Sequence, residues 1–185
     1  MKRAVILLIV VAGLLASATA AFAKAPSGAI FTTYSDGSGV NVNNFEYSTD
    51  VYLDGGPGAN APSTAAALPE GDYVFQVTDP SGKTLLSSDP PECRVFHVDA
   101  AGLISGVGDP EGCGHFTGVD IDHGALTVQL WPFDATPNGG GVYKVWVTPV
   151  DQFNAESGRY FGFTPSASKT DAFKVEYAGG GGPPE

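Results

Sequence analysis

The sequence predicts an all-β protein, built as an antiparallel β-sandwich of about seven to nine short strands. Glycine and proline are abundant, with 25 and 14 copies in 185 residues, and both are poor helix formers. Hydrophobic residues make up 43% of the chain and aromatic residues 11%, which is enough for a sizeable core. Short stretches of alternating polar and apolar residues are separated by turn residues, as in sandwiches and barrels.

The first residues have the organisation of an export signal. Met1-Lys2-Arg3 is basic, an apolar run follows from Ala4 to Leu15, and Ala21-Phe22-Ala23 provides the small residues that signal peptidase requires. We therefore expect residues 1–23 to be a cleaved signal peptide. A retained membrane anchor is the alternative, but polar residues interrupt the segment before it could span a bilayer.

The remaining chain has the length and composition of one domain. We expect a single β-sandwich domain over residues 27–177 and a disordered Gly/Pro-rich tail over residues 178–185. The expected location of the mature protein is secreted, either periplasmic or extracellular, and it is not expected to span a membrane after signal cleavage.

The chain is strongly acidic. Removal of Lys2 and Arg3 would lower the basic count from 9 to 7 against 20 acidic residues, and the formal net charge from −11 to −13. Nucleic acid is therefore not an expected partner, since its binding relies on clustered Lys and Arg. The expected partner is an extracellular protein or glycan.

Nine segments have strand character, and two further segments have weak helix signals over residues 63–68 and 150–157. Alternation is clearest in residues 71–78 and 124–131, which predicts one buried and one more polar face for each. The predicted strands are 29–33, 50–53, 71–78, 83–87, 93–98, 103–107, 124–131, 141–148 and 171–177.

Turn chemistry predicts two hairpins. Asp79-Pro80-Ser81-Gly82 has the Pro and Gly placement of a tight turn, so residues 71–78 should pair with residues 83–87. Residues 93–98 should pair in the same way with residues 103–107.

One stretch of about 20 residues resembles a known family. Leu68-Pro69-Glu70-Gly71-Asp72-Tyr73-Val74-Phe75 resembles the strand entry of prealbumin-like and collagen-binding-protein B-type domains of bacterial surface proteins. Thr78-Asp79-Pro80-Ser81-Gly82-Lys83 looks like the hairpin turn that follows in those domains. The resemblance implies an Ig-like Greek-key sandwich with a structural or binding role outside the cell, and no enzymatic role.

The sequence contains two cysteines, Cys93 and Cys113. An even pair in an exported chain is more often a disulfide than two free thiols. The two residues lie at the start and just beyond the end of one predicted hairpin, which could bring them together. We therefore predict a Cys93–Cys113 disulfide.

A run of acidic residues is a candidate calcium site. Asp120 and Asp122 alternate just before a predicted strand, so both can point to one side. Together with Asp109, Glu111 and loop carbonyls they could supply the six to eight oxygens that calcium takes. The alternative is that these are solvated loop acids that favour turn formation.

Two tryptophans define a candidate binding face. If residues 124–131 and 141–148 form a hairpin with their apolar residues on the core, Trp131, Lys144 and Trp146 share the opposite face. Aromatic anchors of this kind dominate many binding surfaces. The alternative is that the aromatic-rich segment 151–170 folds over the face and buries both rings.

These features predict a secreted module with a structural or protein-binding role, such as adhesion or spacing, and no enzymatic activity. A carbohydrate-binding module that uses the tryptophan face is one alternative. A metal-dependent hydrolase is another, with His97, His115 and His123 beside nearby acids, although their spacing matches no zinc pattern. No cofactor other than calcium is expected.

Overall fold

Ten strands form two sheets in a computed structural model that describes residues 24–56 and 66–178. The predicted signal peptide and residues 179–185 of the predicted tail lie outside the described residues. The strands are β1 (Ile30–Thr33), β2 (Asn44–Tyr47), β3 (Tyr52–Gly55), β4 (Gly71–Thr78), β5 (Val95–Val98), β6 (Ile104–Val107), β7 (Thr117–Val119), β8 (Leu126–Gln129), β9 (Val142–Pro149) and β10 (Lys169–Tyr177).

The smaller sheet has the strand order β1-β3-β8-β7, with antiparallel neighbours throughout. The larger sheet has the order β2-β10-β9-β4-β5-β6 and curls around one side of the core. Its neighbouring strands are antiparallel except β2 and β10, which are parallel.

The prediction of an all-β protein is therefore confirmed. The strands number ten rather than seven to nine, and the expectation of a wholly antiparallel arrangement is wrong for the β2–β10 pair.

The main core lies between the two sheets. Alternation along β4 turns Phe75 and Val77 toward it, and Phe75 lies opposite Val147 of β9. Leu53 of β3 and Val128 of β8 approach from the smaller sheet. All of these side chains are buried, which is the main source of stabilisation in a domain of this kind.

The predicted hairpin of residues 124–131 with residues 141–148 is wrong, because β8 and β9 belong to different sheets. β8 pairs with β3 and β7, whereas β9 lies between β4 and β10. The inward-facing residues of both strands do line one core, from opposite sides. Alternation shows which face of a strand is buried, but it does not show which strand is its neighbour.

The hairpin predicted after β4 is confirmed only at its turn. The Asp79 carboxylate accepts hydrogen bonds from the backbone N–H groups of Ser81, Lys83 and Thr84, which is the turn chemistry expected of Asp. Residues 83–87 then form isolated bridges rather than a strand. By contrast, β5 and β6 pair as predicted.

Short 3-10 turns replace the predicted helices. Of the segment 150–157, only Val150–Gln152 has helical geometry. Of the segment 63–68, residues 63–65 lie outside the described residues and residues 66–68 are not helical. Within the described ranges, no helix is long and apolar enough to cross a membrane. The turns are Ser48–Asp50, Pro91–Arg94, Pro110–Gly112, Val150–Gln152, Arg159–Gly162 and Pro165–Ala167.

The predicted disulfide is confirmed. Cys93 and Cys113 are joined with Cα atoms 5.4 Å apart, over a sequence separation of 20 residues. Cys93 lies in the turn before β5 of the larger sheet and Cys113 lies before β7 of the smaller sheet. The bond therefore links the segments that lead into the two layers.

Reduction of this disulfide is expected to lower the free energy of unfolding by about 3 kcal/mol, because the open loop gives the unfolded chain more conformations. Guanidinium denaturation with and without reductant measures the change, with thiol titration to verify reduction. An unchanged midpoint in fully reduced protein would contradict the prediction.

Candidate functional site

The outer face of the larger sheet carries a second apolar cluster. Residues of β9 that alternate with the core positions point outward, and Trp146 lies there opposite Gln76 of β4 and Thr170 of β10. Trp146 is only 5% exposed. Its indole Nε1 donates a 2.9 Å hydrogen bond to Thr78 Oγ1. The ring packs with Val74 and Phe163, with Val95, Phe153 and Tyr160 around them.

The predicted strip of Trp131, Lys144 and Trp146 is therefore not an exposed surface. The aromatic segment after β9 covers Trp146, which was the alternative interpretation of the sequence. Trp131 follows β8, is half-buried and packs against the main core instead. The two tryptophans thus belong to different clusters, because their strands belong to different sheets.

A different set of side chains surrounds Trp146 and reaches solvent. Tyr160 lies over it with ring centroids 5.4 Å apart and planes tilted by 30°. The Lys144 Nζ atom is 5.5 Å from the centre of the Trp146 ring, and the Arg159 guanidinium is 5.1 Å from the centre of the Tyr160 ring. Exposed Lys83 follows Gly82, which packs on both rings. We call Lys83, Lys144, Arg159 and Tyr160 the basic–aromatic face.

Gly82 allows the turn after β4 to pack closely on this cluster. It has a φ of +73°, and a Cβ atom placed there would lie 2.8 Å from Trp146 Cζ2. The left-handed conformation and the close approach both favour glycine. Lys83 is thereby held beside the aromatic rings rather than away from them.

The backbone that presents Arg159 and Tyr160 is strained. Tyr160 and Phe161 have φ values of 51° and 54°, in the left-handed region that non-glycine residues seldom adopt. The buried Gln76 side chain holds this turn by donating a 3.0 Å hydrogen bond from Nε2 to the Tyr160 carbonyl. Strain of this kind costs about 1–3 kcal/mol per residue and is concentrated at functional sites.

Two clefts flank Tyr160 and share Arg159 and Tyr160 as a wall. The first has a volume of about 360 Å³ and includes Lys83. The second has a volume of about 330 Å³ and combines hydroxyl-bearing residues with the apolar Phe163 and Pro165. Its hydroxyl-bearing residues, apart from Tyr160, are Ser157, Thr164 and Ser166.

The cations of the basic–aromatic face have no carboxylate partner. Among the described residues, ion pairs within 4.0 Å have Arg94 or a histidine as the cation, and none involves Lys83, Lys144 or Arg159. The chain has 20 acidic residues against 9 basic ones. Lys24, Lys169 and Lys174 also form no ion pair among the described residues, so what distinguishes the three cations is their position around the Trp146 and Tyr160 rings.

The acidic residues proposed for calcium do not converge. Asp120 accepts hydrogen bonds from the backbone of Asp122 and pairs with His123 at 2.9 Å. Asp109 instead accepts a bond from the backbone of Gly114, and Glu111 is exposed. Within the described part of the chain, no group of three or more His, Cys, Asp or Glu side chains is placed to hold a metal ion. The predicted four-residue calcium site is therefore not formed.

The histidines considered for a hydrolase contact three different aspartates. His97 pairs with Asp72 and His123 with Asp120. His115 is buried, with Nδ1 2.7 Å from the Gln129 carbonyl and Nε2 3.0 Å from Asp89. The three histidines therefore form separate pairs rather than one centre.

Arg94 completes the buried polar group around Asp89. Its Nε atom lies 3.7 Å from the Asp89 carboxylate, and its guanidinium donates a hydrogen bond to the Phe75 carbonyl. Burial lowers the pKa of Arg94, and the negative charge of Asp89 opposes that shift. The group is enclosed by the sheets, so its geometry is that of a structural ion pair.

Asp54 is a buried carboxyl group that the sequence did not single out. It lies on β3, on the face opposite the core residue Leu53, and is 2% exposed. Burial raises the pKa of Asp54 to about 7, and the neighbouring charge of Asp120 adds to the effect. The hydrogen bond from Gly55 N–H and the proximity of His123 act in the opposite direction.

A larger cleft lies elsewhere, beside the start of β4. It has a volume of about 600 Å³ and is lined by the carboxylates of Glu70, Asp72 and Asp151. Its one aromatic residue, Tyr73, is buried and bonds to the Pro69 carbonyl. This cleft offers no accessible ring, and its carboxylates are not among any group of three or more placed to hold a metal ion in the described part of the chain. We therefore regard the basic–aromatic face as the better candidate site.

Comparisons of the chain with protein-family models, with curated proteins and with solved structures found no match.

Proposed function

We propose that the chain is a secreted β-sandwich module, of the Greek-key, prealbumin-like type, that binds an extracellular protein or glycan. In this proposal the basic–aromatic face is the binding surface, and the protein has no catalytic role. The disulfide supports a location outside the cytoplasm, since such bonds persist in oxidising compartments.

One observation carries the proposal. Lys144 and Arg159 lie against aromatic rings and not against carboxylates, in a chain with more than twice as many acidic as basic residues. Cations that were needed only for solubility or stability would more usually be solvated or paired with acids. Arg and Tyr are also enriched among residues that dominate binding energy.

Charge reversal on this face is expected to abolish binding. We predict that the wild-type protein sediments with the insoluble extracellular material of its source organism, and that Lys83→Glu loses this association. Lys174→Glu is the matched control, because Lys174 is an exposed lysine on the same outer side of the larger sheet as Lys144 but lines neither cleft beside Tyr160. It should retain binding, and both variants should melt at the wild-type temperature.

Two results would contradict the proposed function. The first is the absence of sedimentation by the wild-type protein. The second is equal sedimentation of both variants, which would place the binding surface elsewhere.

A further inference from the structure

The cations of the basic–aromatic face are arranged for a negatively charged ligand. Arg159 is held over Tyr160 and Lys144 over Trp146. A cation–π contact restrains the side chain without neutralising its charge. Side chains that are already restrained lose less conformational freedom on binding, so more of the interaction energy appears as affinity.

The neighbouring acid does not cancel this charge by direct pairing. Asp79 lies in the turn next to Lys83, but both of its carboxylate oxygens accept hydrogen bonds within the turn, including one from the Ser81 hydroxyl at 2.6 Å. Burial on its own would raise the pKa of Asp79, but these bonds together outweigh it and lower the pKa. Lys83 and Arg159 thus both line the same cleft with their charges available to a ligand.

The two clefts beside Tyr160 differ in chemistry. The cleft with Lys83 and Arg159 fits an anionic group. The cleft with Ser157, Thr164 and Ser166 offers hydroxyl groups that can both donate and accept hydrogen bonds. A ligand that spans Tyr160 would therefore carry an acid on one side and uncharged polar groups on the other.

The net charge of the protein limits how densely charged that ligand can be. With a formal charge of −11 for the whole chain, or −13 after the expected signal cleavage, the surface away from this face repels a polymer that carries an anion on every unit. An extended polar chain with widely spaced carboxylates avoids this repulsion. Acidic polysaccharides with neutral sugars between their uronate units have this pattern.

We infer that the basic–aromatic face binds an acidic polysaccharide with spaced carboxylates. One carboxylate lies between Lys83 and Arg159, and neutral sugars cross Tyr160 to the hydroxyl-lined cleft. This inference rests on the proposed binding role of the same face, and it adds the chemical class of the ligand.

Affinity gel electrophoresis tests the inference with defined polymers. Hyaluronan, gellan and glucuronoxylan carry spaced carboxylates, and the carboxyl-reduced form of each is a neutral control with matched rings. We expect at least one acidic polymer to retard the full-length mature protein. Carboxyl reduction or Arg159→Ala should each weaken that binding roughly tenfold or more, because each removes a charge-assisted hydrogen bond. Lys174→Ala should leave it unchanged.

The remaining results would overturn the inference. The first is that no acidic polymer retards the protein. The second is that the carboxyl-reduced form of a polymer retards the protein as strongly as its acidic form. The third is that a poly-glutamate peptide binds as strongly as the acidic polysaccharide. The last result would show recognition of charge without recognition of sugar. In each case the sedimentation experiment still reports separately on the proposed function, since it does not depend on the class of ligand.

Discussion

Asp54→Asn is expected to be more stable than the wild-type protein at pH 8 and about equally stable near pH 4. Burial raises the pKa of Asp54 from 3.8 to about 7, so between these values the folded protein holds a proton that the unfolded chain has lost. The free energy of unfolding of the wild-type protein must therefore fall as the pH rises through this window, and then level off. The full effect corresponds to about 4 kcal/mol.

Denaturant titrations at several pH values from 4 to 8 measure this effect. Asparagine has nearly the shape of a protonated carboxyl group and no charge to desolvate, so the variant should lose this component of the pH dependence. Asp122→Asn is the matched control, since Asp122 is exposed in the same region of the smaller sheet. If wild-type protein and Asp54→Asn respond to pH in the same way, Asp54 is not the group responsible.

Local sequence patterns predicted most of the strands because burial imposes a period of two on a strand. The alternation in residues 71–78 corresponds to β4 with the same limits. The missed strands were β2 and β7, which are four and three residues long. β7 has no buried residue, so burial imposes no period on it.

Strand pairing could not be predicted in the same way, because it depends on contacts between distant parts of the chain. β8 and β9 are consecutive and both line the core, yet residues 130–141 carry the chain from one sheet to the other. The parallel β2–β10 pair joins the two ends of the described domain. Neither pairing relation can be detected from the alternation of polar and apolar residues along the strands concerned.

The sequence predicted only part of the candidate site, and it did so from a strand pairing that is wrong. Lys144 and Trp146 were identified from a hairpin that does not form, whereas Lys83, Arg159 and Tyr160 were missed. These residues come from the turn after β4, from β9 and from the segment after β9. A local signal did exist, because Arg159 and Tyr160 lie in a short aromatic run between Gly158 and Gly162.

Trp146→Ala is expected to lower the free energy of unfolding by about 3–5 kcal/mol, the cost typical of removing a buried aromatic side chain. Trp146 is the centre of the outer apolar cluster, with Val74 on the neighbouring strand and Tyr160 and Phe163 of the following segment packed with it. Its removal leaves a cavity under the strained Tyr160 turn and breaks the bond to Thr78. Thermal and chemical denaturation measure the loss, and Trp146→Phe should recover part of it.

Quenching of tryptophan fluorescence by acrylamide gives an independent test of this burial. In the Trp131→Phe variant all tryptophan emission comes from Trp146, because the chain has 2 tryptophans. That emission should be strongly protected in the folded protein and become accessible on unfolding, since Trp146 is 5% exposed. Emission that acrylamide quenches readily in the folded variant would mean that the segment after β9 does not cover the ring. The basic–aromatic face would then lack its support, because Tyr160 is held in place by packing on Trp146.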